Sequence, residues 1–515
     1  MTFADVLDRV ASERPQKTAL KSETACVSYA QLKRRVDALS ASLISLGMRK
    51  GDRLAVLSPN CHQCVELYLV AARTGIILAP LNTRLSPAEL QVITDDCQPS
   101  AIIVDEELLD CFEELRPRLG SVKLFLHIGR PFQGATDYEA LASRDVPHVE
   151  TLASEDDTNC ILYTGGTTGF PKGAELTNGN WLANTVNTVS PLGVTVDDVN
   201  LVMTPLFHTA AVWPALLHVY AGGTSVTTRR FDVRETLGVM QRERITFCHP
   251  VLSQVVSLIE DEDIQKYDLS SLRVVQCSMS LPAPAFQRAL KPFRNTIMPG
   301  YGLTEAGPMA TVMPQDEMKS WEAAGGMAGG HHRRYSSSGT VVPNVEVRLV
   351  DDNDMEVPCG AVGEIAIKSR GVMKGYWNRP DATALALRNG WLHTGDVARM
   401  DEDGFVYFVD RKSGMIKTGG ESVYPKEVED AIASHPTVLE VTVFGVPDIR
   451  WGETVKAVVA LRQGAVATAD QLIEHCRHQI ASYKKPTSID FMDTLPRNPS
   501  GKVIKAELLK RYTRT

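Results

Sequence analysis

The segment CILYTGGTTGFPKG, Cys160 to Gly173, constrains this chain more than any other: an apolar run stops at a cluster of glycines and threonines that ends in a lysine. The run reads as a buried strand and the cluster as a tight turn leaving it. Glycines such as Gly165, Gly166 and Gly169 let backbone N–H groups approach an anion closely. Thr164, Thr167 and Thr168 add hydroxyl donors, and Lys172 adds a cation. The turn is therefore a candidate phosphate loop, the alternative being a plain glycine-rich turn. It is not a Walker loop, because Pro171 rather than glycine precedes the lysine and Gly173 rather than Ser or Thr follows it.

Elsewhere, short apolar runs (DRLAVLS from Asp52, GIILAPL from Gly75, SAIIVD from Ser100) alternate with amphipathic helices, and the same grammar repeats from Asn159 to Glu305. That is the pattern of βαβ units, so one large α/β body is expected. After Gly339 the runs VEVRLVDDND, VGEIAIKS and GFVYFVD alternate with turn signals and predict a β-rich subdomain. A boundary follows near Asp410. Beyond it, a helix opened by Pro425, strands at LEVTVFGV and VKAVVALR, and a helix from Ala469 predict a compact α+β module of about a hundred residues. The expected division is 1–410 and 411–515.

With 54 Lys and Arg against 62 Asp and Glu, the net charge is −8, and the basic residues are spread evenly rather than gathered in a stripe. Nucleic acid is thus an unsuited partner. The apolar stretch from Val65 is broken by Glu66 and Arg73, so no membrane span is expected. The N-terminus lacks a basic segment followed by an apolar core, which points to the cytosol. Cys61 and Cys64 form an isolated CxxC on a helical pattern and read as buried, reduced and inert. The stretch from Gly325 to Gly339, GGMAGGHHRRYSSSG, reads as a loop, either a surface insertion or a basic lid. The oligomeric state stays open, a homodimer included.

The loop YTGGTTGFPKG resembles the signature of the adenylate-forming enzymes, close to YTSGTTGxPKG, departing at Gly165. Four further motifs of that family follow in order: YGLTE from Tyr301, TGD from Thr394, DRKSGMIKTGGESVYPKEVE from Asp410, and PRNPSGK from Pro496. The resemblance spans essentially the whole chain. It implies a large N-terminal body and a small mobile C-terminal domain, turning at a hinge about residues 410–414 that aligns with Ser413 in place of the usual Lys or Asp.

Read alone, Thr304 and Glu305 are a helix cap or a strand-end site, and Asp396 an Asx turn. The resemblance implies that Glu305 holds Mg²⁺, Thr304 meets phosphate beside Tyr301 and Gly302, and Asp396 accepts both ribose hydroxyls of ATP with Arg411 assisting. It further implies that Lys502 bridges the attacking carboxylate and the α-phosphate during adenylation. Gly419 and Gly420 would line a pantetheine tunnel, Trp451 would pack on pantetheine, Tyr483 would stack on adenine, and Lys484 or Lys485 would meet the phosphates of coenzyme A. The implied reaction forms an acyl-adenylate from a carboxylic acid and ATP, then a thioester. Free coenzyme A is expected as acceptor, a carrier protein being the alternative. His208 and Met279 are the expected acyl contacts. In QCSMSLP from Gln276, bulkier residues replace the family's SGGAPLP, reshaping either the acyl pocket or the adenine cleft. A medium-chain, short or aromatic acid is expected.

Overall fold

The apolar runs become strands because they are buried along nearly their whole length: Arg53–Leu57, Ile77–Pro80, Ala101–Asp105 and Thr158–Thr164. Parallel strands covered on both faces lose the alternating pattern, which is why these read as continuous runs. The computed structural model describes the chain except residues 165–170, 278–292, 294–295, 319–333, 335, 419–420, 449–450, 478, 498–502 and 513–515. The Gly325–Gly339 stretch thus lies mostly outside the described residues.

The described residues fall into two compact units, one running to Val347 and including Ile367–His393, the other comprising Arg348–Ala366 and Thr394 onward. The first unit is the large α/β body expected, and it holds two mostly parallel sheets. An eight-stranded sheet runs in the order Gly375–Tyr376, Lys172–Thr177, Thr158–Thr164, Ile77–Pro80, Arg53–Leu57, Ala101–Asp105, Leu124–Ile128 and Ala135–Asp137. A nine-stranded sheet has Val199–Val202, Phe247–Cys248, Val274–Cys277 and Ile297–Gly302 at its centre. Chain order does not separate them: Thr18–Lys21 crosses to the nine-stranded sheet, pairing Leu20 with Ser225. Such pairing has no local signature, so periodicity cannot assign a strand to its sheet.

Helix starts are set by side-chain caps. Ser86 and Glu89 form a capping box on Pro87–Cys97, as do Thr177 and Asn180 on Asn178–Val189. Four further strands order as Val345–Val350, Val362–Ser369, Leu392–Met400 and Val406–Arg411. A five-stranded sheet follows, its long hairpin Val438–Asp448 and Gly452–Leu461 covered by the helices Pro425–Ala433 and Ala469–Arg477. Val428, Ile432, Val443, Val455, Val459 and Leu472 form its core. No helix among the described residues is long and apolar enough to cross a membrane. All ten cysteines are free.

Candidate active site

In the first unit the hairpin of Thr158–Thr164 and Lys172–Thr177 ends with Thr164 opposite Lys172. Lys172 therefore opens a strand instead of lying within the turn, and its position is fixed by the antiparallel ladder. Gly165, Gly166, Thr167, Thr168 and Gly169 lie outside the described residues. The Thr164 hydroxyl donates to the Lys172 carbonyl at 3.4 Å and to Glu305 Oε1 at 3.4 Å.

Glu305 arrives as the motif predicts. The strand Ile297–Gly302 runs into a 3₁₀ turn, Thr304–Ala306, at its C-terminal end, the end where open α/β sheets bind ligands. Tyr301 is buried on that strand, its N–H donating to Thr311 Oγ1 at 3.1 Å. Gly302 is required by packing, since a Cβ there would sit 1.6 Å from the Pro308 carbonyl oxygen. Gly307, at φ +73°, lies against the Gly371 carbonyl, where a Cβ would meet the oxygen at 2.0 Å. That close approach brings in the stretch after Gly371: the Met373 N–H donates to the Glu305 carbonyl at 2.9 Å.

The same stretch delivers Tyr376, a residue with no sequence signal. Its two-residue strand pairs with Lys172–Thr177. The Tyr376 hydroxyl donates to Glu305 Oε1 at 2.9 Å, and Lys172 Nζ lies 5.2 Å from the centre of its ring. Burial, and then the Glu305 carboxylate, hold the phenol well above its ordinary pKa, so it remains a donor.

The helix Thr209–Ala221 meets this group end-on, Thr209 Oγ1 lying 3.3 Å from Thr304 Oγ1. His208 is the residue just before that helix, not a residue of an apolar strand, because the strand ends earlier at Val202. Its ring lies 4.6 Å from that of Phe207. Met279 is outside the described residues.

The second unit carries Asp396 and Arg411 as cross-strand partners, with Arg411 Nε 3.3 Å from Asp396 Oδ1. TGD is not a free Asx turn: it lies inside the strand Leu392–Met400, where Gly395 takes φ +72° and its N–H donates to Glu364 Oε1 at 3.0 Å. Lys412 bonds Glu364 at 2.9 Å and Asp352 at 2.8 Å, and these carboxylates raise its pKa despite the opposing effect of burial. Ser413 lies in the 3₁₀ turn Lys412–Gly414 between two strands. Just before it, Asp410 accepts the Arg411 and Lys426 N–H groups, each at 2.7 Å, and burial raises its carboxyl.

Trp451 and Tyr483 are 47% and 48% exposed, so both offer aromatic surface. Lys485 is half-buried. Lys484 is held by Glu427, both oxygens at 2.7 Å. Gly419, Gly420 and Lys502 lie outside the described residues.

Residues 7–377 match the AMP-binding enzyme family model, and residues 427–502 match the AMP-binding enzyme C-terminal domain. The chain belongs to the AMP-binding enzyme family. This adenylate-forming enzyme is 36% identical over 506 residues to feruloyl-CoA synthase of an Amycolatopsis species, covering 98% of each chain. It is 34% identical over 522 residues to indoleacetate–CoA ligase of Aromatoleum aromaticum, covering 100% of this chain and 99% of that one. Its architecture matches ATP-bound MatB from Rhodopseudomonas palustris with a TM-score of 0.88, at 29% identity over 99% of each chain. The AMP-binding enzyme is of the acyl-CoA synthetase type, an AMP-forming acid–thiol ligase for which ATP and coenzyme A are substrates.

Proposed function

We propose that this ligase activates an aromatic carboxylic acid as its acyl-adenylate and transfers the acyl group to free coenzyme A. The observation that carries the reading is the meeting of Thr164, Lys172 and Glu305 at adjoining strand ends, with Thr304 linked to the helix start that follows His208. It supports a reading in which a phosphate site lies beside an acyl site. The names of two relatives, a feruloyl-CoA synthase and an indoleacetate–CoA ligase, favour an aromatic acid over the short and medium-chain alternatives. Both relatives act on coenzyme A, which supports free coenzyme A over a carrier protein.

A carboxylate is already nucleophilic at neutral pH, so adenylation needs positioning and charge neutralisation rather than a general base. Lys172 sets a cation against the phosphates from the rim of the loop, and Thr164 and Thr304 offer hydroxyl donors. Tyr376 fixes the rotamer of Glu305. The donor set there is hard oxygen, carboxylate and hydroxyl, which fits Mg²⁺. Held by Glu305, that ion supplies neutralisation of charge on the triphosphate. Asp396 accepts the ribose hydroxyls, Arg411 steadies it, and Lys502 bridges carboxylate and α-phosphate.

For the second step residues 411–515 turn about Ser413 as a domain separate from 1–410. Asp410, the last residue before that domain, accepts the N–H groups of Arg411 and Lys426 across the hinge, bonds that a turn must carry with it or break. Gly419 and Gly420 then line the thiol path, with Trp451, Tyr483 and Lys485 on coenzyme A, and His208 and Met279 on the acyl group. The test is release of pyrophosphate and AMP from MgATP across aryl, short and medium-chain acids, with and without coenzyme A, with thioesters read by mass. A coenzyme A thioester of an aryl acid alone is the expected result. Preference for a fatty acid would overturn the substrate class, and pyrophosphate without thioester would overturn the acceptor.

A further inference from the structure

Cys61 and Cys64 stand at the start of the helix His62–Thr74, Cys61 in the N-cap position and Cys64 on its first turn. Their sulfurs face each other at 3.4 Å. The Ser58 hydroxyl lies 3.5 Å from the Cys61 sulfur and also reaches the buried Asp105 carboxylate at 3.3 Å. Both thiols are nearly buried, but Cys64 lines a cavity with room for about one water-sized molecule, together with Ser58, Tyr68, Leu206 and Phe207. Chemically active dithiols use the same CxxC spacing, and helix starts lower thiol pKa. Cys61, at the helix N-cap, is the sulfur placed to act as the nucleophile, its thiol lowered by the contact with Cys64, and Cys64 is the one placed to resolve it.

We infer that Cys61 and Cys64 form a reversible disulfide with a small peroxide, and that the bond acts on the segment leading to His208. The Cys61 thiolate attacks the peroxide oxygen, giving a sulfenic acid and releasing hydroxide, which takes up a proton as water. The Cys64 sulfur then displaces the sulfenic oxygen, which leaves as a second water. Two thiols and one hydrogen peroxide become one disulfide and two waters, the peroxide being the two-electron acceptor. Closing the bond brings the sulfurs nearer by roughly 1.4 Å.

The dithiol lies between the side chains that hold the Thr204–Leu206 segment. Asn60, immediately before Cys61, donates to the Thr204 carbonyl at 2.9 Å and accepts from the Leu206 N–H at 2.8 Å. Tyr68, one helical turn beyond Cys64, donates to the Leu206 carbonyl at 2.9 Å. Any adjustment at Cys61 is passed through Asn60 to the chain two residues before His208. An effect on acid binding rests on the acyl role proposed for His208, whereas the disulfide and the loop change do not.

The experiment treats the full chain carrying Cys26→Ser and Cys359→Ser, which removes the two exposed thiols, with stoichiometric hydrogen peroxide. Peptide mass mapping and hydrogen exchange of the segment 203–208 follow, before and after dithiothreitol. The expected result is a loss of two hydrogens within the peptide holding Cys61 and Cys64, reversed by the reductant. It is accompanied by an exchange change of at least about twofold at the Leu206 amide, absent in Cys61→Ser and in Cys64→Ser. Recovery of both thiols reduced, or their conversion only to sulfinic acid, would overturn the disulfide. A disulfide with unchanged exchange would overturn its action on the loop. A raised KM for the acid on oxidation adds the acyl reading, and its absence beside a positive exchange result would count against His208 alone.

Discussion

The Tyr376 hydroxyl donates to Glu305 Oε1 at 2.9 Å while Lys172 Nζ stands 5.2 Å from the centre of the same ring, so one phenol meets both charged groups of the proposed phosphate site. Tyr376→Phe keeps the ring and removes the hydrogen bond. A bond to a charged group is worth about 1.5–3 kcal/mol, which predicts a fall of roughly 10- to 100-fold in kcat/KM for pyrophosphate release. The Mg²⁺ concentration giving half-maximal rate should rise with it. An unchanged Mg²⁺ dependence would mean that Tyr376 does not position Glu305.

Lys502→Ala is expected to depress adenylation by about 10²-fold or more, the scale of losing one charge-stabilising group. Thioester formation from a preformed acyl-adenylate should stay within a few-fold. Measuring the half-reactions separately decides the matter: equal losses contradict a role confined to adenylation.

Trp451→Ala should raise KM for coenzyme A by about fivefold or more, in keeping with the loss of an aromatic contact of about 1 kcal/mol. Pyrophosphate release in its absence should be unaltered. The exposed ring makes a folding defect an unsuitable explanation for such a split. A coenzyme A dependence matching the parent enzyme removes Trp451 from the thiol site.

Burial lowers His218 and His249 to about 4 from an ordinary 6.5. Between these values the unfolded chain binds protons that the folded chain refuses. Their contribution to stability is therefore complete above pH 6.5 and is lost as the pH falls toward 4. Each shift corresponds to roughly 3 kcal/mol. Urea midpoints should drop between pH 7 and pH 5, and a flat profile over that interval would show that these histidines charge without cost.

Gly302→Ala drives a methyl group against the Pro308 carbonyl, 1.6 Å from its oxygen. Backbone must move, so a loss of about 3 kcal/mol or more is expected, together with loss of adenylation because Glu305 follows on the same turn. Thermal unfolding of the variant measures the first and pyrophosphate release from MgATP the second. A melting temperature within a degree of the parent would show that the turn relaxes freely.

The sequence by itself determined the elements and the family. Apolar runs such as Ala101–Asp105 are fully buried strands, and Pro425 opens a helix where its missing N–H costs nothing. These are local facts, written in composition and spacing, and five ordered motifs name the chemistry. Only the tertiary structure decided that the first unit has two sheets, that Lys172 opens a strand opposite Thr164, and that TGD lies inside a strand. Tyr376 is the sharpest case. It lies 71 residues from Glu305 in the chain and reaches it where the backbone at Gly307 comes up against the Gly371 carbonyl, an approach that a Cβ at 307 would block. Hydrogen bonds between distant residues depend on where folded backbones pass one another, and no local pattern records that.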